Sequence, residues 1–253
     1  MLSKAKIKYI HSLELKKKRK EEHVFVAEGP KLVSDLFGYF RCRLVLALPE
    51  WLRTHSEVQA DEIVEVTYDE LARASLLKTP QEIIAVFEQK EYIWDISFPS
   101  RFLCLALDDI QDPGNLGTII RLADWFGIEH IYCSSNTVDL YSPKVLQASM
   151  GGLARVNLYY GSLPQLISSL DKSIPVYGTF LDGENMYTQS LSQYGLIVMG
   201  NEGNGISHDV EALINKRLYI PNYPLERETS ESLNVAVATA IVCAEFRRQV
   251  SIL

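Results

Sequence analysis

Three stretches rich in Gly and Asn break an otherwise apolar, regularly patterned C-terminal region, and they limit the possible folds more than any other feature of the chain. Residues 112–121 read DPGNLGTIIR, residues 198–206 read VMGNEGNGI and residues 231–240 read ESLNVAVATA. The first two each follow an apolar run of strand length, and the third opens an apolar helix. Loops at strand ends are where open α/β folds place ligands. The chain therefore predicts an α/β fold with a mostly parallel sheet and a site assembled from distant segments.

Periodicity divides the 253 residues into two parts. Residues 3–20 predict one helix, with Ile7, Ile10 and Leu13 on one side. Strands follow at 23–27, 44–48, 63–66 and 82–87, with helices from Pro30 to about Phe40 and over 68–75. This is a small α/β domain over 1–90. Residues 90–100 carry mixed charge, aromatics and Pro99, and form the linker. A second α/β series fills 100–253. Its strands are expected at 102–107, 128–133, 154–159, 175–181, 195–199 and 218–220. Its helices are expected at 115–126, 143–150, 163–170, 206–214 and 233–249.

No apolar stretch approaches the roughly 20 residues of a membrane span, and the lysine-rich N-terminus lacks a signal-peptide apolar region. Cys42, Cys104, Cys133 and Cys243 lie far apart and read as reduced, mostly buried thiols of a cytoplasmic protein. The five His show no metal-ligand spacing, so no metal is expected. Net charge is −7, yet residues 1–31 hold nine basic and four acidic side chains, which gives +5 there and −12 over the rest. A basic arm at Lys16, Lys17, Lys18, Arg19 and Lys20 is a candidate RNA-phosphate contact. A solvated helix face is the competing reading.

Each Gly/Asn segment carries its own chemistry. Asp112, Pro113, Gly114 and Asn115 form a turn by composition. Arg121 then falls about one turn inside the next helix, so an amide and a guanidinium stand near free backbone N–H groups. In GNEGNG, 200–205, three Gly and two Asn leave almost no side-chain bulk around Glu202. The Gly spacing is the reverse of the dinucleotide fingerprint. Ser232 is a sensible N-cap, and Asn234 at the second helical position has poor helix propensity, which suggests a side-chain task. Taken singly, each segment also reads as an ordinary turn or a capped core helix.

In this order and spacing the three segments resemble the signature motifs of the SpoU (TrmH-type) RNA ribose 2'-O-methyltransferases of the SPOUT class. The resemblance covers about residues 100–250. It implies a C-terminal trefoil knot, S-adenosyl-L-methionine as methyl donor and a homodimer with the knot and final helix at the contact. Donor-binding positions carry over to Gly200, Asn201, Gly203, Ile220 and Leu233. Asn115, Arg121, Glu202, Ser232 and Asn234 match the polar positions of the reaction site. One departure is visible: after Ile220-Pro221 the family has a short Gly-containing loop, whereas residues 222–231 read NYPLERETSE, with Tyr223, Arg227 and Glu228.

Residues 1–90 resemble the ribosomal-protein-like substrate-binding domain of many members, most closely at VFVAEGPKLV, 24–33. That favours ribosomal RNA over transfer RNA as partner. The expected reaction moves a methyl group to a ribose 2'-hydroxyl, with Arg121 orienting the 2'-oxygen. An RNA-binding protein that keeps the fold without turnover is the alternative. A nucleoside triphosphatase would need a GxxxxGK[ST] loop, which the chain does not contain.

Overall fold

The structure is a computed structural model that describes residues 1–224 and 232–250. Its first elements are α1 (Lys4–Ser12), α2 (Lys16–Glu22), β1 (Val24–Glu28), α3 (Pro30–Leu36), β2 (Cys42–Ala47), α4 (Pro49–Thr54), β3 (Glu62–Glu65), α5 (Tyr68–Ala74) and β4 (Ile83–Glu88). There follow β5 (Leu103–Leu107), α6 (Pro113–Trp125), β6 (His130–Ser134), α7 (Pro143–Ser149), β7 (Asn157–Gly161) and α8 (Leu163–Ser169). The last are β8 (Val176–Asn185), β9 (Gly195–Met199), α9 (His208–Glu211), β10 (Lys216–Tyr219) and α10 (Val235–Val250). Two compact units result: Met1–Glu91 with Asp139–Ala154, and Tyr92–Val138 with Arg155–Leu253.

The first unit has a four-stranded sheet in the order β1-β4-β2-β3, with β2 and β3 parallel and the other pairs antiparallel. Residues 3–20 do not form one helix. The chain turns at Leu13, whose side chain is fully buried, and restarts at Lys16. Arg19 makes this break possible. Its Nη1 donates to the carbonyls of Leu13 and Glu14 at 2.9 and 2.6 Å, satisfying acceptors that a helix end leaves open. Its Nη2 donates to Asp139 Oδ2 at 2.5 Å. Helix α7 belongs to this unit although the sequence places it in the second series. Gln147 Nε2 donates to the carbonyl of Glu28 in β1 at 2.8 Å.

The second unit has a six-stranded sheet in the order β10-β8-β9-β5-β6-β7, parallel at every pairing. The central strands β5 and β9 are buried at every residue, as continuous apolar runs covered on both faces require. Each fully buried Leu, Ile or Val there contributes roughly 1.5–3 kcal/mol. The four cysteines are buried free thiols, and burial pushes Cys104 up to about 12. No helix among the described residues is long and apolar enough to cross a membrane.

Candidate active site

Strands β5 and β9 lie side by side, Leu103 opposite Gly195 through Leu107 opposite Met199. The chain leaves β5 toward β6 on one side of the sheet and leaves β9 toward β10 on the other. The carboxyl ends of this pair are therefore a topological switch point, where a crevice opens in parallel sheets. The two exit loops are tied together there. Asn201 Nδ2 donates to the carbonyl of Asp109 at 2.8 Å, and the Ser207 amide donates to Asp108 Oδ2 at 2.8 Å.

The GNEGNG segment closes on itself. Asn201 and Gly205 exchange backbone hydrogen bonds at 2.9 and 2.8 Å, and Asn201 Oδ1 accepts from the amides of Gly203 and Asn204. A Cβ on Gly200 would lie 2.3 Å from the Gly205 carbonyl carbon, so only glycine permits this approach. The small hairpin presents Glu202 at its tip.

Glu202 then meets two helix N-termini. Its Oε1 accepts from Asn115 Nδ2 at 2.8 Å, from Asn234 Nδ2 at 2.5 Å and from the Val235 amide at 3.2 Å. Asn234 Nδ2 also reaches Asn115 Oδ1 at 3.0 Å. Asn115 sits in the first turn of α6, where its amide donates to the N-cap Asp112 at 2.8 Å. Val235 opens α10, so the carboxylate also faces the positive end of that helix. Asn115, Glu202 and Asn234 are 32, 87 and 119 residues apart in sequence, pair by pair, and form one hydrogen-bonded cluster. Charge-assisted bonds of this kind are about twice as strong as neutral ones.

Two expectations are corrected here. Ser232 does not cap the last helix. The helix begins at Val235, and Asn234 Oδ1 caps it by accepting from the amides of Ala236 and Val237. Arg121 stands eight residues past Pro113, more than two turns into α6 rather than about one. It lies about 120° round the helix from Asn115. It is exposed, and among the described residues no hydrogen bond or ion pair holds it. The cluster thus gathers Asn115, Glu202 and Asn234 but not Arg121.

Beside the cluster is a cavity of about 540 Å³. Gly200, Asn201, Gly203, Ile220 and Leu233 all line it, as do Glu202 and Ser232. Sequence reasoning missed Thr179, Phe180, Leu181, Met199, Glu211 and Tyr219, which also line it. Residues 179–181 are available because β8 skips in register against β10: Arg217 pairs with Gly178, but the next residue, Leu218, pairs with Glu184. Two glycines in β8 were the signal, since Gly inside a strand marks a bulge or a close approach. A Cβ on Gly183 would sit 2.5 Å from the Leu218 carbonyl carbon. Of the divergent loop, residues 225–231 lie outside the described residues, including Arg227 and Glu228.

The basic arm belongs to the first unit. Lys16, Lys17, Lys18 and Lys20 are exposed, and Lys18 pairs with Glu21 at 2.6 Å. Arg19 is corrected as a phosphate contact: its side chain is 3% exposed, and its guanidinium is spent on Asp139 and two carbonyls.

Residues 102–244 match the family model described as the SpoU rRNA Methylase family, and residues 4–85 match the MRM3-like substrate binding domain. The 23S rRNA (guanosine(2553)-2'-O)-methyltransferase RlmP of Bacillus subtilis is 29% identical over 245 residues, 96% of either chain. A solved TrmH-family structure from Porphyromonas gingivalis is 42% identical, covers 98% of this chain and 99% of its own, and superposes with a TM-score of 0.88. An AdoMet-bound rRNA methyltransferase from Sinorhizobium meliloti is 26% identical, with 98% and 96% covered and a TM-score of 0.83.

Proposed function

The chain belongs to the SpoU rRNA methylase family, and from that premise we propose that it transfers a methyl group from S-adenosylmethionine to a ribose 2'-hydroxyl of ribosomal RNA. The observation that carries this reading is the Asn115–Glu202–Asn234 cluster standing beside the cavity at the switch point. The residues present fit the donor. The lining holds two carboxylates, Glu202 and Glu211, which suit a sulfonium cation, and a glycine hairpin that a Cβ would fill. When bound, the donor supplies an electrophilic methyl group.

The protein's part is to position. Glu202, fixed by three N–H donors, holds the hairpin and both helix starts in one geometry. Oriented reactants gain several kcal/mol, up to roughly 7–11, from this alone. Arg121, held by no hydrogen bond or ion pair among the described residues, takes the 2'-oxygen and its neighbouring phosphate in this reading. A guanidinium keeps its proton at neutral pH, so it orients and does not act as base. The 2'-hydroxyl proton leaves late, to a phosphate or to water.

In this reading the N-terminal unit grips the RNA substrate and the exposed Lys16, Lys17, Lys18 and Lys20 contact its phosphates. The reading also carries the family's trefoil knot, action in the cytoplasm and a homodimer. The outward side of α10 supports the last: Val237 is exposed, as is Trp125 on α6, the helix that α10 packs against. Light scattering at micromolar concentration tests the dimer, and a monomer there removes it.

The direct test incubates the protein with labelled S-adenosylmethionine and with ribosomal and transfer RNA lacking the modification, then maps the labelled ribose. Label at one 2'-oxygen of ribosomal RNA is expected. Label in transfer RNA alone overturns the choice of RNA, and no label in either overturns the activity.

A further inference from the structure

The cavity wall divides by chemistry. Asn201, Glu202 and Ser232 supply a polar part, and Phe180, Leu181, Tyr219 and Ile220 supply an apolar part. The apolar part is organised by a side chain that does not line the cavity. Arg217 of β10 places its guanidinium carbon 3.6 Å from the centre of the Phe180 ring. Its Nη1 donates to Glu211 Oε1 at 2.7 Å and its Nη2 to Asp182 Oδ1 at 2.6 Å. One planar group thus fastens the β8 excursion, α9 and β10, which are the three elements that frame this wall.

The arrangement answers a specific problem. Between Gly178 and Glu184 the excursion gives up its pairing with β10, so sheet hydrogen bonds do not fix Phe180. The Arg217 fork replaces them with two charge-assisted bonds and a ring contact. A bare cation here would repel a sulfonium donor. The two carboxylates leave the trio with one net negative charge, and the guanidinium holds the Asp182 carboxyl below its ordinary range. The cation covers one face of Phe180, and Phe180 also borders the cavity.

Building on the reading that this cavity seats S-adenosylmethionine, we infer that Arg217 is a positioning residue for the donor. It holds Phe180 as the aromatic wall for the flat purine and sets donor affinity rather than the rate of methyl transfer. A lysine cannot do this, because a point charge on a flexible stem reproduces neither the fork nor the stacking.

The test measures S-adenosylmethionine binding by calorimetry, and KM for the donor and kcat at saturating RNA, for wild type, Arg217→Met, Arg217→Lys, Phe180→Leu and the double variant Phe180→Leu/Arg217→Met. Arg217→Met is expected to weaken donor binding about tenfold, within the range of a partly exposed cation–π contact, and to raise KM in parallel with kcat changed less than twofold. Arg217→Lys should not rescue. The double variant should bind no more weakly than the worse single variant, because both act through one wall. Donor binding by Arg217→Met within twofold of wild type overturns the inference, and so does a fall in kcat with KM unchanged. Should Arg217→Met not fold, Arg217→Lys decides: wild-type affinity in it overturns the clamp. A wild-type protein that binds no donor instead overturns the donor reading itself, and the clamp with it.

Discussion

Asn234 divides its side chain between Glu202 and the helix that follows it. Its Nδ2 donates to Glu202 Oε1 at 2.5 Å, while its Oδ1 accepts from the amides of Ala236 and Val237 at 3.1 and 3.2 Å. The residue that starts α10 therefore also fixes the carboxylate at the tip of the glycine hairpin. Asn234→Asp separates the two roles. An aspartate caps a helix as well as an asparagine does, but it sets one carboxylate against another, and two so close cannot both ionise. Turnover should fall by about 100-fold or more, a loss of roughly 2.7 kcal/mol in transition-state stabilisation. The thermal midpoint should fall much less than for Asn234→Ala, which loses the cap too. Single-turnover methylation and thermal melts read the two effects separately.

Arg121 is exposed and unheld among the described residues, so its removal should leave the donor cavity intact. Arg121→Ala and Arg121→Lys should bind S-adenosylmethionine within about twofold of wild type while methyl transfer drops by about 100-fold or more, since lysine does not reproduce the planar fork. Calorimetry and labelled-methyl transfer check the pair. Near-normal turnover in Arg121→Ala would end its assignment.

A methyl group at position 200 has nowhere to go. Its carbon would lie 2.3–2.5 Å from backbone atoms of Gly205 and Ile206, which cannot swing aside as a side chain would. Gly200→Ala should cost about 1–3 kcal/mol, as overpacking does. It should also weaken donor binding, because the hairpin must open to accept it. Denaturant melts and calorimetry measure these. Gly203→Ala is the contrast, since its nearest neighbour would be Asn201 Oδ1 at an ordinary 3.5 Å.

The basic arm splits by burial. Arg19 is buried and pairs with the partly exposed Asp139, so Arg19→Ala leaves that carboxylate and the carbonyls of Leu13 and Glu14 without their donor and should cost about 1–3 kcal/mol of stability. Lys16, Lys17 and Lys20 are exposed. Changing these three to Ser should leave stability within about 0.5 kcal/mol. RNA affinity should fall in that variant, and the slope of its logarithm against log salt should shrink by about two to three if all three touch phosphate. An unchanged slope removes the arm from the RNA interface.

What the chain made legible follows from how local each signal is. Strands β5 and β9 are unbroken apolar runs of five residues, and a run of that kind reads as a buried parallel strand whatever surrounds it. The cavity residues Gly200, Asn201 and Gly203 were legible because their compositions exclude a core. Arg19 was not, since a lysine-rich heptad looks the same whether one member turns inward to cap a helix end or all face water. The Ser232 cap failed by two positions because Ser and Asn are both good caps, and only the Glu202 contact, 32 residues away, selects Asn234. Phe180 was hidden for a similar reason. Its place in the wall depends on a register skip between β8 and β10, a property of two strands rather than one. Helix α7 carries the same apolar stripe in either unit, and its partner, the carbonyl of Glu28, lies 119 residues back.

His130 makes the second unit sensitive to acid. Its ring stacks on Phe98 with centroids 3.7 Å apart and planes 9° apart, and its Nδ1 lies 3.0 Å from the Tyr159 hydroxyl. Burial pushes its pKa below the ordinary 6.5. Arg101 acts in the same direction, and the nearby Glu129 and Asp95 offset only part of it. With the folded value lowered, the ring's contribution is complete above 6.5 and is lost as pH falls through the folded value, because the unfolded chain takes up the proton first. Wild type should therefore lose more unfolding free energy between about pH 7.5 and about pH 5 than His130→Phe, which keeps the stack but has nothing to protonate. Urea melts at both pH values measure the difference. An equal loss in the two proteins would mean that His130 is protonated as readily folded as unfolded, and that the stack on Phe98 does not exclude the charged ring.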